Sequence, residues 1–111
     1  MCDIFKKTPY FCILNSKKMV YSLSYELKSV DKDYTPLFSF LEHGIGQGGI
    51  HVLRDSWWIA SETELDVNII CNQIRNYLGD KDHIFFARLS NIEINGWLPS
   101  SSWNWFNEHK N

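Results

Sequence analysis

Glu26 stands near the end of the stretch MVYSLSYELK, residues 19–28, and its neighbours decide what it can do. Tyr21, Leu23, Tyr25 and Leu27 fall on one side of an extended chain and Val20, Ser22, Ser24 and Glu26 on the other, because strand side chains repeat with period two. One face is oily and suits a covering helix. The other is nearly polar and is left for water, a partner chain or a ligand, with a carboxylate on it. A solvated or salt-bridged acid is the ordinary occupant of such a position. Arg54, Arg75 and Arg88 are the cations best placed to matter. Arg88 shares the face of Glu26 if Ala87 and Leu89 point inward, where it can pair with the acid or contact phosphate. Ile84 and Phe86 compete with Phe85, Ala87 and Leu89 for the core, so alternation alone leaves both arrangements open. Trp57 and Trp58 are adjacent. One of them enters the core and the other faces outward, to pack in an interface or to stack on a base.

Other patterns point away from familiar chemistries. Residues 44–49, GIGQGG, spell G-x-G-x-x-G, but the dinucleotide fingerprint needs a strand before it and a helix after it, so that phosphate rests on the helix N-terminus. Here a helix is expected before the glycines and a strand after them, which makes a flexible connection the plain reading. His43, His51, His83 and His109 include no i, i+4 pair and none lies near a cysteine, so no zinc site is expected. Cys2, Cys12 and Cys71 are odd in number, far apart and without a C-x-x-C pair, which argues against a disulfide framework and for a reducing, cytoplasmic setting. Cys71 reads as an inert small core residue.

Thirteen acids against eleven bases give no global positive field that would draw the chain onto a phosphate backbone, so any nucleic-acid site must be local. The longest apolar run, near residues 10–14, is far below membrane-spanning length, and no h-region with a cleavage site opens the chain. A soluble, unsecreted protein without a membrane partner is expected. With 111 residues, 44% of them apolar and 15% aromatic, one hydrophobic core is affordable and two ordinary domains are not.

The elements that must position these residues follow from punctuation. Residues 1–18 fit the remainder poorly, since Pro9 interrupts any helix, and they are expected to be an N-terminal extension to a domain over residues 19–111. After the first strand, Asp31 or Asp33 can cap a helix over 34–43 that carries Leu37, Phe38 and Leu41 and ends at Gly44. Residues 50–54 and 57–60 read as a hairpin joined through Asp55 and Ser56. A second helix over 64–78 presents Leu65, Ile69, Ile70, Ile74, Tyr77 and Leu78 as one stripe, with Thr63 or Ser61 placed to cap it and Gly79 to end it. Residues 83–89 make a final short strand. The order β-α-β-β-α-β is that of an α+β, ferredoxin-like fold, two helices on one face of a four-stranded antiparallel sheet. Tyr21, Leu23, Tyr25, Leu37, Leu41, Ile70, Ile74 and Leu78 should share its core. The opposite face is uncovered, and the aromatic tail with Trp97, Trp103, Trp105 and Phe106, or a second subunit, must cover it.

The run VYSLSYEL, a helix containing DYTPLFSFL, then LRDSWWIAS, a helix with NQIRNYL, DKDHIFFARLS and a closing GWLP before a short tryptophan-bearing helix resemble the SinR family of small proteins over about residues 19–110. That family is similar to the second CRISPR-associated protein and to virulence-associated protein D, which are ferredoxin-like dimers. The resemblance implies a homodimer and a place in defence or counter-defence. In the CRISPR-associated relatives an aspartate near the end of the first strand, one from each subunit, is thought to hold a divalent metal for phosphodiester hydrolysis. The matching residue here is Glu26. By that resemblance Glu26 is the catalytic and metal-binding residue, Mg²⁺ polarises the scissile phosphate and activates a water, and Ser24 or Tyr25 positions that water or a phosphate oxygen. The glutamate departs from the pattern: its extra methylene shifts the carboxylate by more than about an ångström, where tolerances are about half that.

The expected function is therefore a dimeric binding module for nucleic acid (RNA or DNA), a nucleotide or a protein partner, with Ser24, Tyr25, Trp57, Trp58 and Arg88 as binding residues and no cofactor. The alternative is a Mg²⁺-dependent endonuclease, a toxin-like ribonuclease, using Glu26 from each subunit. Acidic net charge, the glutamate and the lack of a second acid–base partner favour binding.

Overall fold

The computed structural model describes residues 19–89 and 93–110, so the N-terminal extension lies outside the described residues. The fold is α+β. β1 (Met19–Glu26) is followed by α1 (Thr35–Ser39), which runs into a π-helical turn at Phe40–Gly44, then β2 (Gly48–Leu53), β3 (Ser56–Ser61), α2 (Val67–Arg75), β4 (His83–Arg88) and α3 (Ser100–His109). The strands form one sheet in the order β2-β3-β1-β4, and each neighbouring pair is antiparallel.

Both helices of the first two units are shorter than their apolar stripes suggest, for local reasons. The segment after Asp33, whose Oδ1 accepts the Thr35 N–H at 2.9 Å, begins as an α-helix and widens into a π turn. Leu37 in α1, Leu41 in the turn and Ile45 just after it, four residues apart, enter the same core with almost no exposure. In α2 the cap is Asp66, not Thr63 or Ser61: its Oδ1 accepts the N–H groups of Asn68 and Ile69 at 2.9 and 3.3 Å. Ser61 is spent elsewhere, its hydroxyl donating to the Thr63 carbonyl at 2.7 Å to fold the entering turn. At the other end residues 76–78 tighten into i to i−3 bonds on Gln73, Ile74 and Arg75, satisfying carbonyls that the α-helix leaves free.

The hairpin turns at Arg54 and Asp55, and both its strands are longer than the sequence reading. Its entry explains the glycines. Gly46 sits at φ +53°, and a side chain there would run into the Ala60 carbonyl oxygen of β3; a Cβ at Gly49 would lie 2.6 Å from the Leu41 carbonyl oxygen. The G-x-G-x-x-G pattern thus serves a loop folded hard against β3, with Gln47 N–H donating to Ala60 at 2.8 Å.

The sheet is buried on both sides, unequally. Toward α1 and α2 the core holds Tyr21, Leu23, Tyr25, Leu37, Leu41, Ile45, Trp57, Ile59, Ile70, Ile74 and Phe86, with Leu78 half-buried against it. Seven of the eight residues expected in one core are buried there, and the eighth, Leu78, packs against its margin. On the opposite face α3 lays Phe106 over Val20, Val52 and Trp58, with Trp103 and Trp105 at the margin. The tail therefore covers its own sheet, but only at the β2–β3 side and the β1 start.

Asp82 locks the two loops at the far end of β1. Its carboxylate accepts the N–H groups of Lys28 (2.6 Å), Ser29 (3.2 Å) and Gly79 (2.7 Å), the Ser29 hydroxyl (3.3 Å) and the Tyr34 hydroxyl (2.6 Å). Burial pushes this carboxyl upward, but the bonds from Tyr34, Gly79, Lys28 and Ser29 outweigh it and hold the pKa at about 2.

Candidate functional site

The strand register decides which sequence-predicted residues can act together. Ser22, Ser24 and Glu26 alternate onto the outer face of β1, where β3 places Ser56 beside Ser24 and β4 places Ala87, Phe85 and His83 beside Ser22, Ser24 and Glu26. The Ser24 and Ser56 hydroxyls are 3.5 Å apart. Phe85 stands on this face with 70% of its surface exposed. Beyond the reach of α3 the outer face is thus an open strip: Ser24, Glu26, His83 and Phe85 are all exposed. The strands turn no lysine or arginine to it among the described residues.

Glu26 lies at the edge of that strip, and among the described residues its closest charged neighbour is Lys28, Nζ to Oε1 3.9 Å, with both groups well exposed. An ammonium group beside the carboxylate competes with a divalent ion for it. Among the described residues no three His, Cys, Asp or Glu side chains gather closely enough to hold a metal. Among the described residues Glu26 is the one carboxylate that the strands turn to this strip, and a shared metal would need a second from another copy.

The other expected binding residues are dispersed. Tyr25 points to the inner core, 6% exposed, where its hydroxyl accepts the Trp57 indole N–H at 3.1 Å and lies 3.4 Å from both His51 Nε2 and the Arg54 carbonyl. Burial raises its pKa, opposed by the Trp57 bond and reinforced by Asp55, so it remains a neutral phenol. Trp57 is the tryptophan that enters the core, stacked on His51 at 4.7 Å between centroids. Trp58 faces outward as alternation requires, yet it is 8% exposed, because Trp103, Trp105 and Phe106 close over it at 5.2–6.5 Å. Neither indole face is free to stack on a base. Arg88 pairs in register with Tyr21 and so belongs to the helix side, opposite Glu26. Phe86 settled that choice: it is the β4 residue buried in the core. Of the five predicted binding residues only Ser24 shares the open strip with Glu26.

Phe85, His83 and Asp82 were missed as candidates. Register is the reason for the first two, since a one-residue slip moves every side chain of β4 to the other face. Cys71 is half-buried, and burial raises its thiol pKa, as expected of an inert thiol. It borders a groove between α2 and β4 with Asn72, Arg75, Asp80 and His83.

No helix of the described residues is long and apolar enough to cross a membrane. Comparison with protein-family models, with curated proteins and with solved structures finds no match for the chain.

Proposed function

We propose that the chain is a ferredoxin-like binding module that acts as a dimer and meets protein surface, a second copy first of all, through the open strip of its outer sheet face. The element order and the strand order β2-β3-β1-β4 support the fold. The observation that carries the function is Phe85, an aromatic ring standing mostly in water on the edge strand β4 between small neighbours, Ser24 and Ala87. Such a ring is a ready anchor for an interface. Among the described residues the strands turn no lysine or arginine to the strip, and the ammonium beside it, that of Lys28, stands against the Glu26 carboxylate, which favours protein over a phosphate backbone.

Sedimentation at micromolar concentration tests this reading. The full chain should run as a dimer, and Phe85→Asp should return it to monomer without loss of fold, because the residue is outside both cores. A wild-type monomer at every concentration would refute the reading. Cleavage of short RNA and DNA with Mg²⁺ or Mn²⁺ tests the competing endonuclease: no turnover is expected from either wild type or Glu26→Gln. Metal-dependent cleavage that vanishes in the variant would replace binding by catalysis.

A further inference from the structure

A second feature of the outer face lies beside α3. The loop leading into α3 stands off the sheet and leaves a cleft of about 490 Å³ floored by Ser22, Ser56 and Trp58 and walled by Trp103, Glu93 and Trp97. Its size falls in the range of small-ligand sites. We propose that this cleft binds an organic cation, an alkylated ammonium group such as a methylated amine, held between indole faces and the Glu93 carboxylate.

Charge selects that ligand class. Among the described residues Glu93 is the only ionisable side chain of the cleft lining, which contains no lysine, arginine or histidine. An anionic ligand would find no counter-charge and would meet a carboxylate. A cation finds both the carboxylate and the negative indole faces of Trp97 and Trp103, and Trp is the strongest of the aromatic partners for cation–π attraction. A bare metal ion is a poor fit, since indoles offer no lone pair and the lining supplies one carboxylate. Bulky alkylated ammonium groups, weakly hydrated and wider than a metal ion, suit an aromatic cage of this volume. One wall is built in advance, since Trp103 is held against the buried Trp58 at 5.8 Å and 56°, while Trp97 is fully exposed and makes the other wall without packing against the core.

Calorimetric titration of the full chain with tetramethylammonium, with adenosine and with 3,3-dimethylbutanol, the neutral isostere of a trimethylated amine, tests the proposal. Saturable binding of tetramethylammonium is expected, with the isostere and adenosine much weaker. Trp97→Ala should weaken it about tenfold, and Glu93→Gln should weaken it severalfold. Trp97 contributes to neither core, so its replacement should leave the unfolding midpoint unchanged, which separates lost binding from lost fold. Absence of binding at millimolar concentration, equal binding of the isostere, or preference for adenosine would each overturn the proposal. The dimer test depends on Phe85 rather than on these residues, so the two readings fail separately.

Discussion

Asp82→Ala should cost the fold about 3–5 kcal/mol, read as a fall in the urea midpoint with unchanged slope. The carboxylate accepts from three backbone N–H groups and two hydroxyls, and these come from the loop after β1 and the turn before β4. Removing it strands several half-buried donors at once, each worth about 1–3 kcal/mol when unsatisfied, with water recovering part of the loss. The same carboxylate predicts an acid limb. Its pKa of about 2 in the folded chain lies below the ordinary 3.8, so above about pH 4 both states are ionised and the full stabilisation is present. As pH falls from 4 toward 2 the unfolded chain takes up a proton that the folded chain refuses, and about 2 kcal/mol is lost progressively. Asp82→Asn should flatten that limb. An acid limb of equal depth in the variant would show that other carboxylates carry it.

What could be read from the chain alone depended on the range of the interaction. The β1 alternation and the α2 stripe are periodic signals, and they placed Tyr21, Leu23, Ile70 and Ile74 in one core correctly. The helix ends were less legible because capping is a competition: Ser61, Thr63 and Asp66 all qualify by type, and only the path of the chain off β3 decides that Asp66 reaches the free N–H groups. The candidate site was least legible. Phe85 and Phe86 are indistinguishable by type, and the pairing of β4 with β1 chooses which is buried. Alternation required one of Trp57 and Trp58 to face outward without saying which, and the cover over Trp58 comes from α3, more than forty residues later in the chain. Asp82 gave no signal beyond a turn-forming acid, since its five donors lie on segments brought together only by the fold.

That remote cover makes the second large effect. Phe106→Ala should lower stability by about 3 kcal/mol, and the response should identify α3 as a docked element. At ten residues, with Pro99 at its cap position and no side-chain capping bond, α3 is too short to persist alone and is held by what it buries. Phe106 is 3% exposed and packs on Trp58 at 5.2 Å between centroids. Truncating it removes the contact that joins the helix to the outer face, so Trp58 should gain solvent. A red shift of indole emission is therefore expected at denaturant concentrations where the inner core, built from the alternate residues Tyr21, Leu23, Trp57 and Ile59, still stands. Phe106→Leu keeps most of the volume and should cost less than about 1.5 kcal/mol. If Phe106→Ala changed stability no more than Phe106→Leu does, the helix would be held by Trp103 and Trp105 instead, and the outer cluster would not turn on this residue.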